Sequence, residues 1–262
     1  QETLDYLGQI AGAHPGAVVV FGDDGEKFGT WPDTKQHVYD NGWLTQFFDA
    51  LSANAEWIQT STLAEANASR PPLGKIYLPE GSYREMTEWA LPTDVQTQYE
   101  DLVHEMEHDE RWSRISRFVR GGYWRNFKAK YPESDEMYAR MMMVSRRLQA
   151  AIDNGASGDL IEAARRELYR GQCNCSYWHG AFGGIYLPHL RNAVYNHLIA
   201  ADNLLDQATD KTGDWVEAAS GDFNFDGRQE VRLANEKLVA LLAPAAGGQL
   251  YGCHAYLPED RY

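Results

Sequence analysis

Residues 21–32, Phe21-Gly22-Asp23-Asp24-Gly25-Glu26-Lys27-Phe28-Gly29-Thr30-Trp31-Pro32, bring two adjacent carboxylates, an ammonium group and a flat indole into one short stretch. A carboxyl group placed at a cleft can give a proton to a leaving oxygen and take one back from an incoming hydroxyl. Successive side chains of an extended segment alternate in direction, so one of the two aspartates can face a cleft while the other braces the loop. Asp24 is the candidate acid/base, Lys27 the group that tunes a carboxylate, and Trp31 a platform for an apolar face. Asp23-Asp24-Gly25 also satisfies a plain turn.

The elements that must hold these residues can be read on either side. Ala17-Val18-Val19-Val20 is a β-branched run halted by Gly22, the pattern of a buried strand opening into a polar loop. Strand ends of this kind carry the chemistry of α/β folds. Leu4, Leu7 and Ile10 predict a helix over 2–13, and Thr34 is placed to cap a helix running to about Ala53. Further strands are expected at 57–60 and 75–78, with a helical turn at 63–66 between them and a helix capped by Ser82 and Glu85 after them. This alternation predicts a parallel sheet or barrel segment with right-handed crossovers. From Pro92 the pattern changes to amphipathic runs over 94–109, 110–130, 134–154 and 158–170, and then about 186–207, which predict a helical bundle. Met141-Met142-Met143 falls within that periodicity as core filler. After Gly221, short apolar runs around 231, 238–242 and 250 predict about three antiparallel strands. The expected domains are therefore 1–91, 92–220 and 221–262.

Two other stretches can carry chemistry. Cys173 to His189 mixes glycines with Tyr177, Trp178, His179, Phe182 and Tyr186, a composition that suits either a sugar-lined cleft or a wedge between two layers. Cys173, Cys175 and His179 lack a fourth ligand for zinc. Asp222-Phe223-Asn224-Phe225-Asp226-Gly227, followed by Glu230, places oxygen side chains at alternate positions, so Asp222, Asn224, Asp226 and Glu230 form a possible structural calcium loop. Leu233 at the twelfth position breaks the EF-hand pattern, and a polar turn into the next strand explains the residues equally. Glycosidic cleavage normally needs two carboxyl groups, about 5 Å apart in retaining enzymes. Glu80, after the expected strand at 75–78, is the second carboxylate with an address, and otherwise the partner lies outside the chain.

A net charge of -14 over 262 residues excludes a nucleic-acid or anionic-membrane partner, which would require a basic face. A neutral substrate fits. Aromatic residues make up 12% of the chain, including 8 Trp, enough for sugar stacking as well as core packing. Three cysteines, two of them as Cys-x-Cys, make no paired framework and predict a reducing, cytoplasmic location. The sequence holds no run of 18 apolar residues and no signal-peptide pattern, and it begins without Met, as a fragment would.

Taken together, the chain resembles glycoside hydrolase family 57, of the α-amylase and 4-α-glucanotransferase type. The similarity is carried by Val20 to Pro32, by Tyr177-Trp178-His179-Gly180 with Phe182-Gly183-Gly184, by Tyr77-Leu78-Pro79, by Gly121-Gly122-Tyr123-Trp124-Arg125-Asn126-Phe127 and by the Asp222 loop. It implies Asp24 as acid/base, Trp31 and Trp178 as substrate-stacking rings, and His179 and Lys27 as neighbours of the substrate. It implies the C-terminal segment of an incomplete (β/α) barrel, then a helical bundle and the first strands of a β-sandwich. It implies an α-1,4-glucan or maltooligosaccharide substrate and no required cofactor. The family nucleophile is a glutamate of an earlier barrel segment; none here matches it, which removes Glu80 and makes the N-terminal barrel half the partner. Where relatives carry an acidic substrate-binding residue, this chain has Cys175, which bears on donor-sugar contacts. The alternative expectation is a non-catalytic glucan-binding or assembly module derived from the family.

Overall fold

The computed structural model describes residues 2–78, 81–179, 183–211 and 213–255, and it divides into two compact units, residues 1–78 and 79–262. That division falls before the boundary expected after residue 91, and the one expected at 220/221 falls at the end of a strand.

In the first unit, α1 (Glu2–Ala13), α2 (Trp43–Ala53) and α3 (Leu63–Ser69) are joined by a 3-10 turn at Gly25–Phe28 and a π turn at Gln36–Asp40. The single helix expected from Thr34 is interrupted because Gly42 sits at φ 73°, a left-handed conformation that ends the π turn before α2. Thr34 does not cap it: its Oγ1 donates to the Trp31 carbonyl at 2.6 Å. The capping box is instead at α3. Thr62 N–H donates to Glu65 Oε2 (2.8 Å), and Glu65 N–H donates to Thr62 Oγ1 (3.2 Å).

The strands expected at 17–22, 57–60 and 75–78 are not formed; among the described residues, the first unit contains no strand. The reason is pairing. A β-branched run needs a neighbouring strand to take its N–H and C=O groups, and none is present to receive these. Val20 and Phe21 are 63% and 68% exposed, and Val38 is the sole buried apolar side chain described in this unit.

The second unit is dense. It contains α4 (Glu85–Ala90), α5 (Thr93–Glu107), α6 (Trp112–Ile115), α7 (Trp124–Lys130), α8 (Pro132–Asp153), α9 (Asp159–Gly171) and α10 (Pro188–Ala208). The expected capping of a helix by Ser82 fails, because α4 starts at Glu85 with no side-chain cap. The Ser82 and Tyr83 carbonyls are pressed against Gly121, where a Cβ would fall 2.4 Å and 2.0 Å from them. The run expected to be one helix over 110–130 is broken between Phe118 and Trp124. Met137, Val144 and Leu148 of α8, Ile161, Ala164 and Leu168 of α9, and Val194, Leu198, Ala201 and Leu205 of α10 recur at helical spacing and form one buried cluster. Gly171 lets α9 approach α10, since a Cβ there would meet Leu198 at 2.7 Å.

After α10 come β1 (Val216–Gly221), β2 (Glu230–Asn235), β3 (Leu238–Ala243) and β4 (Gln249–Ala255), an antiparallel meander in sequence order. That is four strands where about three were expected. The β1–β2 register pairs Val216 with Asn235 and Gly221 with Glu230, and a bulge interrupts β3–β4 at Leu241/Leu242. Charges tie this sheet to the helices. Arg147 bridges Asp202 and Asp206 of α10, while Arg232 of β2 lies 3.4 Å from Asp202 and 3.5 Å from Glu217. No helix among the described residues is long and apolar enough to cross a membrane.

Candidate active site

Asp24 is the residue before the 3-10 turn Gly25–Phe28, with extended backbone at φ -71° and ψ 129°. The two neighbouring aspartates have different employment. Asp23 Oδ1 accepts from Lys27 Nζ at 2.6 Å and from the Asp24 N–H at 2.9 Å. The Lys27 bond, then the Asp24 amide, holds the Asp23 carboxyl below its usual range, and the same pair raises the Lys27 ammonium. Lys27 was expected to tune the working carboxylate; its direct partner is Asp23, because a side chain four residues on reaches back across one turn. Asp24 is exposed, and its carboxylate makes no hydrogen bond or ion pair among the described residues. Trp31 is 38% exposed at the far end of the same loop. Behind it, Phe28 approaches Trp43 (6.3 Å between ring centres), Trp43 stacks on Phe47 (5.4 Å), and Phe47 reaches Phe21 (6.1 Å).

The second unit holds an aromatic cavity of about 360 Å³. Its walls include Tyr83, Trp124, Tyr138, Tyr177 and Trp178, with Gln172 and Asn174 supplying amide groups. Pockets of this makeup, apolar walls with a few polar groups, suit a neutral ring that needs stacking and a few directed hydrogen bonds. The floor is fixed: Ser134 Oγ donates to the Tyr177 carbonyl at 2.7 Å, Tyr177 OH donates to the Gly171 carbonyl at 2.5 Å, and burial raises the Tyr177 phenol so that it stays a neutral donor.

Trp178 stacks on Tyr83 (5.6 Å, 21°) and leans on Trp89 (5.2 Å). His179 stacks on Tyr186 (5.2 Å) and meets Trp89, Phe127 and Tyr131 edge to face at 5.5, 5.2 and 5.1 Å. Burial and then the Lys130 charge lower its pKa, which favours the neutral ring. The histidine is therefore taken up by four aromatic neighbours and makes no hydrogen bond among the described residues. Gly184, at φ 50°, allows the chain to fold back here, since a Cβ would sit 2.0 Å from the Trp178 carbonyl. Cys175 lies exposed in the adjoining 3-10 turn Asn174–Ser176, and none of the three cysteines is in a disulfide. Sequence reasoning missed Tyr83, Tyr138 and Gln172 as wall residues, which come from three separate segments; Asn174 lies inside the 173–189 stretch that it marked.

The loop at 222–230 is closed by its own amides. Asp222 accepts from the Asp226 and Gly227 N–H groups (both 3.0 Å), Asn224 Oδ1 from Asp226 (3.1 Å), Asp226 from Arg228 (2.8 Å), and Glu230 from Phe223 and Asn224 (2.9 and 3.3 Å). Among the described residues no group of three or more His, Cys, Asp or Glu side chains is placed to hold a metal ion. Glu80 lies outside the described residues.

Models of three successive regions match the chain in order: glycosyl hydrolase family 57 at 1–79, the middle domain of α-amylase/4-α-glucanotransferase at 122–205, and its C-terminal domain at 222–257. The chain is thus similar, region by region, to the α-amylase/4-α-glucanotransferase type of glycosyl hydrolase family 57. It is 44% identical over 250 residues to a 4-α-glucanotransferase of Thermococcus kodakarensis, which covers 95% of this chain and 35% of that protein. To α-amylase 1 of Dictyoglomus thermophilum it is 38% identical, with the same two coverages. The crystal structure of 4-α-glucanotransferase from Thermococcus litoralis superposes with a TM-score of 0.67 at 40% identity, covering 97% of this chain and 37% of that one. The chain thus spans about a third of the length of these relatives.

Proposed function

We propose that residues 1–262 supply the acid/base half of a retaining site for α-1,4-glucans, in an enzyme that hydrolyses or transfers glucan segments. The observation that carries this reading is the contrast at 23–24: Asp23 is locked by Lys27, whereas Asp24, beside it in the family-57 segment, is exposed and unbonded. A carboxyl group in that condition can protonate the departing glycosidic oxygen and then deprotonate water or a sugar hydroxyl. Trp31 serves as a stacking ring in the unit that carries Asp24, and Trp178 as a stacking ring in the other unit, where Gln172 and Asn174 donate to sugar hydroxyls. The nucleophile is a glutamate outside these 262 residues, in an N-terminal barrel half that completes the incomplete barrel, so this chain alone is inactive. The test grafts residues 1–262 onto the remaining part of the Thermococcus litoralis 4-α-glucanotransferase and measures maltooligosaccharide products. Asp24→Asn is expected to lower kcat by about 10²- to 10⁴-fold; near-normal turnover would reject the assignment. Longer products indicate transfer, and only shorter ones hydrolysis.

A second reading, a glucan-binding or assembly module, is favoured by the aromatic cavity at Trp178, whose walls require no carboxylate. It predicts that the 262-residue chain binds maltooligosaccharides by itself and that Trp178→Ala weakens this by about 1 kcal/mol or more, read by calorimetry. Under both readings no cofactor is required. The loop at 222–230 is proposed to stand without calcium, because its carboxylates already accept amide hydrogens; adding EDTA should shift the thermal midpoint by less than about 1 °C. A cytoplasmic location is supported by three cysteines outside any disulfide.

A further inference from the structure

On a protein with a net charge of -14, residues 111–120 carry arginine at every third position: Arg111, Arg114, Arg117 and Arg120. This spacing has structural force, because α6 passes into the 3-10 turn Ser116–Phe118, and side chains three apart eclipse in a 3-10 helix. Arg111, Arg114 and Arg117 accordingly line one surface cleft of about 480 Å³, together with Ile115 and Phe118. Phe118 is 77% exposed, so the cationic rim borders an open aromatic face.

The neighbouring carboxylates neutralise only one of the three arginines that line this cleft. Asp109 takes Arg111 in a two-point clamp, Nε to Oδ1 at 2.9 Å and Nη2 to Oδ2 at 2.8 Å. Glu107 pairs with Arg84 at 2.8 Å. Glu110 is exposed but does not line the cleft. Arg120 turns back, its Nε donating to the Arg117 carbonyl at 3.0 Å. Arg114 and Arg117 have no acidic partner among the described residues. Two guanidinium groups without an acidic partner line one cleft, and a guanidinium fork is the side chain best suited to take the oxygens of a phosphate in pairs.

We propose that the Arg114–Arg117 cleft binds a phosphate group, with Phe118 and Ile115 receiving the organic body when the phosphate is an ester. The cleft shares no residue with the Asp24 loop or with the Trp178 cavity, and it stands whether or not the glucan reading holds. The test is calorimetry and ¹⁵N NMR on the 262-residue chain at low salt, with inorganic phosphate, glucose 6-phosphate and glucose as probes. Both phosphates are expected to bind with Kd below about 1 mM, shifting the Arg114 and Arg117 Nε–H signals, and to weaken as salt is added, since exposed charges are screened over about 8 Å at physiological ionic strength. Glucose is expected to show none of this.

A tighter Kd for glucose 6-phosphate assigns the cleft to a phosphate ester, and equal values assign it to free phosphate. Arg114→Gln with Arg117→Gln should weaken binding at least about tenfold, as expected for losing charged hydrogen bonds. Arg166→Gln, which removes one charge from the exposed face of α9, should leave binding unchanged. Arg117→Lys keeps the charge but not the fork and should fall between. No saturable binding up to about 10 mM phosphate, or equal loss in Arg166→Gln, overturns the proposal.

Discussion

The two units solve the same polymer problem in opposite ways. Residues 79–262 bury Phe127, Met137, Ile161, Val194 and Leu205 almost completely, whereas residues 2–78 bury Val38 alone among their apolar side chains and expose Val18, Val19, Val20 and Phe21. The catalytic candidate is on the open unit, and the aromatic cavity is on the closed one. A helix satisfies its own backbone, so a bundle needs only side-chain packing to become stable. A strand borrows its hydrogen bonds from another strand, so an apolar run remains open until one is supplied. The contrast teaches that side-chain hydrophobicity alone cannot close a unit built from strand-like segments.

Core truncation is the strongest way to break this comparison. Phe127 is fully buried and stacks on Trp124 (5.2 Å) and Tyr131 (4.6 Å), so Phe127→Ala should cost about 3–5 kcal/mol in denaturant unfolding monitored by near-ultraviolet circular dichroism. Val38→Ala, in the open unit, should cost only about 1 kcal/mol. Equal losses would mean that the two units are closed alike.

A second, slightly smaller effect tests the charges where β4 meets the helices. His254 Nε2 lies 3.0 Å from Arg140 Nη2, and burial, then the Arg140 charge, lowers its pKa from 6.5 to about 4. A histidine depressed in the folded state is neutral there while the unfolded chain still takes up a proton. Its contribution is therefore constant above pH 6.5 and is lost as pH falls from 6.5 toward 4, amounting to about 3 kcal/mol over that window. His254→Gln should flatten that part of the stability profile measured by urea unfolding at stepped pH. An unchanged slope would show that the histidine is not buried as described.

Much of the bundle was legible because helical periodicity is local. The spacing of Ile161, Ala164 and Leu168, or of Val194, Leu198 and Ala201, states both the element and its buried face. The meander after residue 216 was legible in kind through its short apolar runs and turn residues, though Val216–Gly221 lay across the expected boundary. The three strands of the first unit were not realised, since Val18–Val20 and Ile76–Leu78 report only a wish for burial. In the candidate site, the sequence marked the Asp23–Asp24 pair but could not say which of them Lys27 would take. Trp178 and His179 were adjacent candidates of one type; the structure gives Trp178 to a cavity and surrounds His179 with four rings.

The residues at 21–32, the helical faces and the arginine triplet spacing follow from sequence alone, because each is a short-range pattern whose geometry the backbone imposes within one or two turns. Tertiary structure decided the rest. Only folding could bring Tyr83, Trp124, Tyr138 and Trp178 around one cavity, and only the folded turn shows which of two competing aspartates Lys27 takes. Both depend on which groups meet in space, and a contact between distant or competing partners is settled by their total packing and solvation, which no local pattern encodes.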